Sequence, residues 1–220
     1  MIPIILAVET ATDACSVALS TSKTTFVEYI VEPQAHSKLL LGMVDSVFKQ
    51  ANIKLQDVQA FAFGKGPGSF TGLRIAASVI QGLAFGTDKP VIAISSLQAL
   101  AQQAYNLRGA KQILATLDAR MQEIYWGTYI INPAGLAQSE MADCLENPAN
   151  LSLKHLATYV AVGTSCIATP PIMYPRAEEV VQLAIAKFLN GNNDNLLTAS
   201  QAIPTYIRNN VAQKSKKNPD

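Results

Sequence analysis

The order of the apolar runs constrains this chain more than any other feature. Residues 3–8 form an apolar β run. After the polar turn Thr10–Asp13, alternation around Ser16-Val17-Ala18-Leu19 predicts a second strand. Thr24–Val31, rich in β-branched and aromatic residues, predicts a third. Strands this close in sequence are joined by short turns, so they pair antiparallel. Pro33 then breaks the chain, and apolar side chains at Leu40, Val44, Val47 and Phe48 fall at helical spacing over 37–51. Val58–Phe63 reads as a buried strand, 64–72 as a glycine-rich loop, 72–86 as a second helix and Val91–Ile94 as another strand. Ser95 or Ser96 is placed to cap a third helix that runs to Asn106.

Part of this order recurs. Gln112–Leu117 and Glu123–Ile131 again make two β runs around a turn, Asp118-Ala119-Arg120-Met121. Tyr159–Val162 predicts a strand and Ala177–Leu189 a helix, while 132–157 is poorly patterned and reads as a loop-rich insertion. Gly191–Asn195 is a turn or loop. The sum is an α/β fold in which βββαβαβα is followed by an abbreviated second copy, the layout of actin-like and sugar-kinase-like folds. The predicted organisation is an N-terminal lobe over 1–106, a reduced C-terminal lobe over 107–210, and a frayed basic tail over 211–220.

Composition narrows the function. Of 220 residues, 49% are apolar and only 15% are charged, against roughly 25% charged in an average soluble protein. Disorder needs low hydrophobicity and high net charge, and neither is present. The net charge of +1 lacks the basic excess of a dedicated nucleic-acid binder. So few charges leave part of the surface uncovered, which points to a protein partner. Cys15, Cys144 and Cys166 are sparse and unpaired in spacing, as expected of a reducing cytoplasm. The apolar start lacks a preceding basic residue and ends at Glu9, so it does not read as a signal peptide. No window approaches the roughly 18 apolar residues of a membrane span, and the expected location is cytoplasmic, with no membrane contact.

The strongest local pattern is Gly66-Pro67-Gly68-Ser69-Phe70-Thr71-Gly72-Leu73-Arg74, between a strand and a helix. A glycine-rich turn at a helix N-terminus offers backbone N–H groups and a positive dipole end to a phosphate. It does not match a Walker loop or a dinucleotide fingerprint. The alternative is a tight turn whose glycines serve close packing and whose Ser69 or Thr71 caps the helix, and spacing favours this second reading. The helix that follows is apolar around most of its axis, so every side needs a cover. Helix 37–51 carries the same surplus at Leu39, Leu41 and Met43. Together they predict a helix-mediated interface, drawn on Leu39, Leu40, Met43, Val44 and Val47 of one helix and Leu73, Ala76, Ala77, Ile80 and Leu83 of the other, while helix 72–86 taken alone fits burial within one domain equally well.

Catalytic options are thin. His36 and His155 are far apart and no zinc spacing exists, so no metal site and no catalytic residue are expected. Glu9-Thr10-Ala11-Thr12-Asp13 sits where an actin-like ATPase holds its first phosphate loop, and Asp118-Ala119-Arg120 is the counterpart in the second half. A working loop has glycine where Ala11 and Arg120 stand, because a Cβ blocks close approach of backbone to phosphate. Both loops are degenerate, and no nucleotide is expected in the isolated chain.

Residues 66–75 resemble the signature of the bacterial TsaB (YeaZ) family, tRNA threonylcarbamoyladenosine biosynthesis proteins. Ile5–Thr12, Cys15–Leu19, His36-Ser37, Ser96-Leu97, Asp118–Arg120 with Tyr125, and Pro204–Arg208 fall in the family's order. The resemblance implies an actin/Hsp70-like (ASKHA) fold in two lobes. It implies a non-catalytic scaffold or activator that joins a TsaD-like catalytic paralogue and a TsaE-like ATPase. That complex adds threonylcarbamoyl to N6 of adenosine 37 in tRNAs reading codons that begin with A. The resemblance further implies a homodimer when alone, formed through the same helical surface, tRNA held mainly through the complex, and ATP or ADP only at a composite interface. The paralogue binds metal through two histidines four apart on a helix, and no such pair exists here. Ala14 also stands where the paralogue's first loop carries a Glu. The competing expectations are an autonomous ATP-dependent small-molecule kinase of the same fold and, further off, a metallopeptidase.

Overall fold

The structure is a computed structural model that describes residues 2–151, 157–168, 171–191 and 196–208. Strands β1 (Ile5–Glu9), β2 (Ala14–Ser20) and β3 (Thr25–Val31) open the chain, followed by α1 (His36–Ala51), β4 (Ala60–Gly64), α2 (Phe70–Thr87), β5 (Val91–Ile94) and α3 (Ser96–Arg108). The second half supplies β6 (Gln112–Asp118), β7 (Ile124–Ile131), β8 (Ala137–Ser139), β9 (Cys144–Glu146), β10 (Val160–Gly163) and α4 (Ala177–Leu189). The predicted order holds for all the long elements. Helix α2 starts two residues before the expected point, at Phe70, because Ser69 rather than Thr71 caps it: the Ser69 hydroxyl accepts from the Gly72 N–H. At α3, Ser95 is the cap, accepting from the N–H groups of Leu97 and Gln98.

The first sheet runs β3-β2-β1-β4-β5, antiparallel in the opening meander and parallel from β1 through β5. Strands β1, β2 and β4 are buried along their whole length, so both faces are covered. Period-two alternation sorts the faces. Leu6, Val8, Val17, Phe61 and Phe63 pack against α1 and α2. Ile5, Ala7, Ala18, Ala60 and Ala62 face α4. The large residues thus meet two helices and the small ones let one helix lie close to the sheet.

The second sheet runs β10-β6-β7-β8, with β9 also on β7. Leu97, Leu100, Ala101 and Ala104 of α3 cover one face over Ile113, Ala115, Leu117 and Tyr129. Two findings go beyond the sequence pattern. The 132–157 stretch is not loop throughout: it contains β8, β9 and a 3-10 turn at Pro148–Asn150, and three-residue strands are too short to show alternation. Helix α4, in the second half by sequence, packs on the first sheet, its Ala177 N–H donating to the Ser16 hydroxyl. Residues 192–195 of the expected turn, His155 and the basic tail lie outside the described residues.

Helix α4 carries a buried acid into this core. Glu179 is 4% exposed, receives one long bond from Asn106, and leaves its Oε2 without a partner among the described residues. Burial, with neighbouring Glu178 adding to it, pushes its pKa from 4.5 up to about 7. A raised acid pKa means that the folded state holds the proton more tightly than the unfolded state. The associated stability is therefore complete below pH 4.5 and lost as pH rises through 7. Urea denaturation of Glu179→Gln should show part of this slope removed, with a stability difference of up to about 3 kcal/mol at the alkaline end. An unchanged slope would contradict the assignment.

Candidate functional site

The glycine loop is built for contact with the first hairpin. Its chain leaves β4 at Gly64, and a Cβ there would overlap the Glu9 carboxylate. A Cβ at Gly68 would overlap the Ala11 carbonyl oxygen, and one at Gly72 the Thr10 carbonyl oxygen. Hydrogen bonds lock the same contact: Ser69 N–H donates to Ala11 O at 2.7 Å and the Thr10 hydroxyl to Gly72 O at 2.7 Å. The Ser69 N–H is thus taken by the hairpin backbone. Close packing accounts for these glycines, and the loop occupies the space beside Ala11.

Glu9 lies beneath this contact and is fully buried. One carboxylate oxygen accepts from Ala11 N–H at 2.7 Å, the other from the Ser96 hydroxyl at 2.8 Å. Burial outweighs these bonds and raises its pKa to about 7. It ties the hairpin to the start of α3. His36, 6% exposed, places Nε2 2.8 Å from Thr12 O, so as an N–H donor it fixes the same hairpin from the α1 side. Cys15 is buried and its thiol is pushed up to about 11, first by burial and then by Glu9, which leaves little thiolate at neutral pH. Among the described residues no three His, Cys, Asp or Glu side chains gather as a metal-binding group.

The second hairpin has a different character. Asp118 accepts from the Arg120 N–H at 2.7 Å and pairs with its guanidinium at 3.1 Å. Arg120, Met121 and Gln122 are consecutively left-handed, with φ of 63°, 55° and 61°. A cavity of about 650 Å³, lined by Asp118, Gln122, Ile124, Pro148, Thr164 and Ser165, lies beside it, at the carboxyl ends of the parallel pair β6 and β10. The sequence reading did not single out Arg208, which pairs with Glu123 at 2.6 Å and donates to Ala119 O at 2.9 Å. It also missed the stack in which the Arg74 guanidinium lies 3.8 Å over the Phe70 ring and donates to the Tyr206 hydroxyl. The Pro204–Arg208 match was the one available signal for both.

The two apolar helices divide differently from the expectation. Leu40, Val44, Val47, Leu73, Ala76, Ala77 and Ile80 are buried in the chain's own core and are not free to meet a partner. Leu39, Met43 and Leu83 are half-buried. The reason is register: the stripe that fits against Phe61 and Phe63 is taken by the first sheet. What remains outside is Leu41, 60% exposed, Phe85, 85% exposed, and Phe70, with Ile75 and Val79 half-buried. A groove of about 450 Å³ runs between the helices, lined by Ser37, Leu41, Phe70, Ile75, Ser78 and Val79. Gly42, Gly82 and Gly86 have open space where a Cβ would stand, so the fold of this chain does not require glycine there.

A duplicated α/β fold with actin-like hairpins at corresponding strand pairs is the class that these features define. A family model described as TsaD, tRNA N6-adenosine threonylcarbamoyltransferase, matches residues 31–160. The chain is 36% identical to the tRNA threonylcarbamoyladenosine biosynthesis protein TsaB of Escherichia coli, over 96% of each chain. It is 33% identical to the protein of that name from Haemophilus influenzae, over 96% of this chain and 95% of the other. The solved structure titled YeaZ from Pseudomonas aeruginosa superposes with a TM-score of 0.82 at 35% identity, over 93% of this chain and 99% of that one. A second Pseudomonas aeruginosa structure, of an uncharacterized protein with similarity to peptidase YEAZ, gives 0.85 at 36% identity, over 94% and 100%. The chain belongs to the TsaB (YeaZ) family, and its fold is the ASKHA-type α/β fold expected from the element order.

The loop contact predicts opposite outcomes for two glycines on one helix. Gly72→Ala should cost several kcal/mol, because the new Cβ meets the Thr10 backbone. Gly82→Ala, in open space, should gain about 0.5–1 kcal/mol from helix propensity. Thermal denaturation of the two variants checks both signs.

Proposed function

We propose that this chain is a non-catalytic scaffold or activator subunit in the biosynthesis of threonylcarbamoyladenosine at position 37 of tRNAs that read codons beginning with A. The transfer to N6 is carried out by a TsaD-like catalytic paralogue, and a TsaE-like ATPase completes the assembly in the cytoplasm. The observation that carries this reading is the occupied first hairpin. Where an actin-like ATPase would admit a phosphate, Gly68 packs on Ala11 and Ser69 N–H is bonded to Ala11 O. The names of the relatives and the resemblance in sequence support the pathway.

The face of α1 and α2 is the proposed docking surface. It carries exposed Leu41 and Phe70 around a groove, exposed Phe85 further along α2, and glycines with open space in which a second backbone could lie close. Alone, the chain covers this face with a second copy of itself; in the complex, the paralogue takes that place. ATP or ADP is assigned to a composite site with the partner. Transfer RNA is held mainly by the partner, consistent with a net charge of only +1.

Leu41→Asp and Phe85→Asp should abolish co-elution with the TsaD-like paralogue and leave the chain folded, since both side chains are exposed, at 60% and 85%. Co-elution unchanged in both variants would contradict the docking face. Calorimetric titration of the isolated chain with ATP and Mg²⁺ should show no micromolar binding. Such binding would favour the kinase reading instead.

A further inference from the structure

Residues 202–208 run between the two halves of the molecule and are held at both ends. On the first-sheet side, Gln81 donates to Ala202 O at 3.1 Å and Thr205 N–H donates to Lys65 O at 2.8 Å. The Tyr206 ring lies 5.2 Å from Phe70, and its hydroxyl accepts from Arg74 Nε at 3.0 Å. On the second-sheet side, Arg208, with its side chain only 12% exposed, grips the hairpin after β6. It pairs with Glu123 and donates to the carbonyl oxygens of Ala119 and Arg120.

That hairpin needs outside support. Three consecutive left-handed residues, none of them glycine, are each disfavoured by roughly 1–2 kcal/mol. One guanidinium nitrogen, Nη2, faces both carbonyls and the Glu123 carboxylate while Nη1 faces the Met121 sulfur, so a single side chain ties down this backbone. A cleft of about 300 Å³ lies between the segment and the glycine loop, walled by Gly68, Phe70 and Arg74 on one side and Tyr125, Tyr206 and Arg208 on the other. Phe70 and Arg74 also line the groove between α1 and α2. One stacked pair therefore forms a wall shared by the inter-sheet cleft and the docking groove.

We propose that residues 202–208 are a latch, closed by Arg208, that couples the Asp118–Glu123 hairpin to the α1/α2 docking face through the shared Phe70–Arg74 wall. The coupling rests on the docking face proposed above. With the latch closed, Tyr206 fixes Arg74 and the stack pre-shapes the groove, so docking costs little reordering. With it open, Arg74 loses its hydroxyl partner and Phe70 one of its two neighbours in the stack. Linkage requires the reverse effect as well, so a docked partner must favour the closed latch.

Hydrogen exchange of the free chain and calorimetry with the TsaD-like paralogue test this together. Arg208→Ala should raise exchange in 118–123 and 203–208 while β1 and β4 stay protected, and should weaken association roughly tenfold. Arg208→Lys, which keeps the charge facing Glu123 but loses the second nitrogen that reaches Met121, should fall between. Tyr206→Phe removes only the bond from Arg74; it should weaken association by a smaller factor and decides the matter where Arg208→Ala does not fold. Raised exchange with wild-type affinity overturns the coupling, and unchanged exchange overturns the latch. Leu41→Asp separates the two readings: association that survives it overturns the docking face itself, whatever the Arg208 variants do.

Discussion

The rest of the structure depends on the backbone contact between the glycine loop and the first hairpin. Gly68 and Gly72 bring the loop against Ala11 and Thr10, 57 and 62 residues away in sequence, close enough for carbonyl oxygens to fill the space of missing side chains. Two hydrogen bonds close the contact, and Glu9 beneath it joins the hairpin to α3. The start of α2 is fixed by the same contact, because Ser69 both caps the helix and bonds Ala11. That start sets which stripe of α2 meets Phe61 and Phe63, and so which residues are left outside.

The proposed function follows from what this arrangement uses up and what it leaves. It fills the space beside Ala11 in the first hairpin with the glycine loop. It leaves an apolar ridge on α1 and α2 that no described part of the chain covers. On the proposed function, a fold class built around a nucleotide cleft serves here as a docking platform. The low charge content fits this, since a surface meant for a protein partner needs fewer charged side chains than one that faces water on all sides. The buried acids Glu9 and Glu179 belong to the fold's construction: both lie in packed interior and both are held at raised pKa chiefly by burial.

Much of the fold was legible in sequence because the long elements carry clean periodicity. Strand Val91–Ile94 and helix Ala177–Leu189 fall where alternation and helical spacing put them. The apolar surplus of α1 and α2 was legible too. Helical spacing separates Leu40, buried with Val44 and Val47, from adjacent Leu41, 60% exposed; what spacing did not show is that the buried stripe is used up by the chain's own first sheet and is not shared with an interface. Tertiary placement of α4 on the first sheet has no local signature, because its apolar stripe would suit either sheet. Arg208 was hidden for a related reason: two of its partners are backbone carbonyls some 88 and 89 residues away, and backbone leaves no mark in side-chain pattern.

The central claim is that this chain enables a reaction it does not perform. The direct measurement is threonylcarbamoyl transfer to unmodified tRNA, reconstituted from this chain, a TsaD-like paralogue and a TsaE-like ATPase, with each omitted in turn. The account predicts modified adenosine only when this chain and the paralogue are both present, and none from this chain alone. Transfer by this chain without the paralogue, or undiminished transfer by the paralogue without this chain, would contradict it.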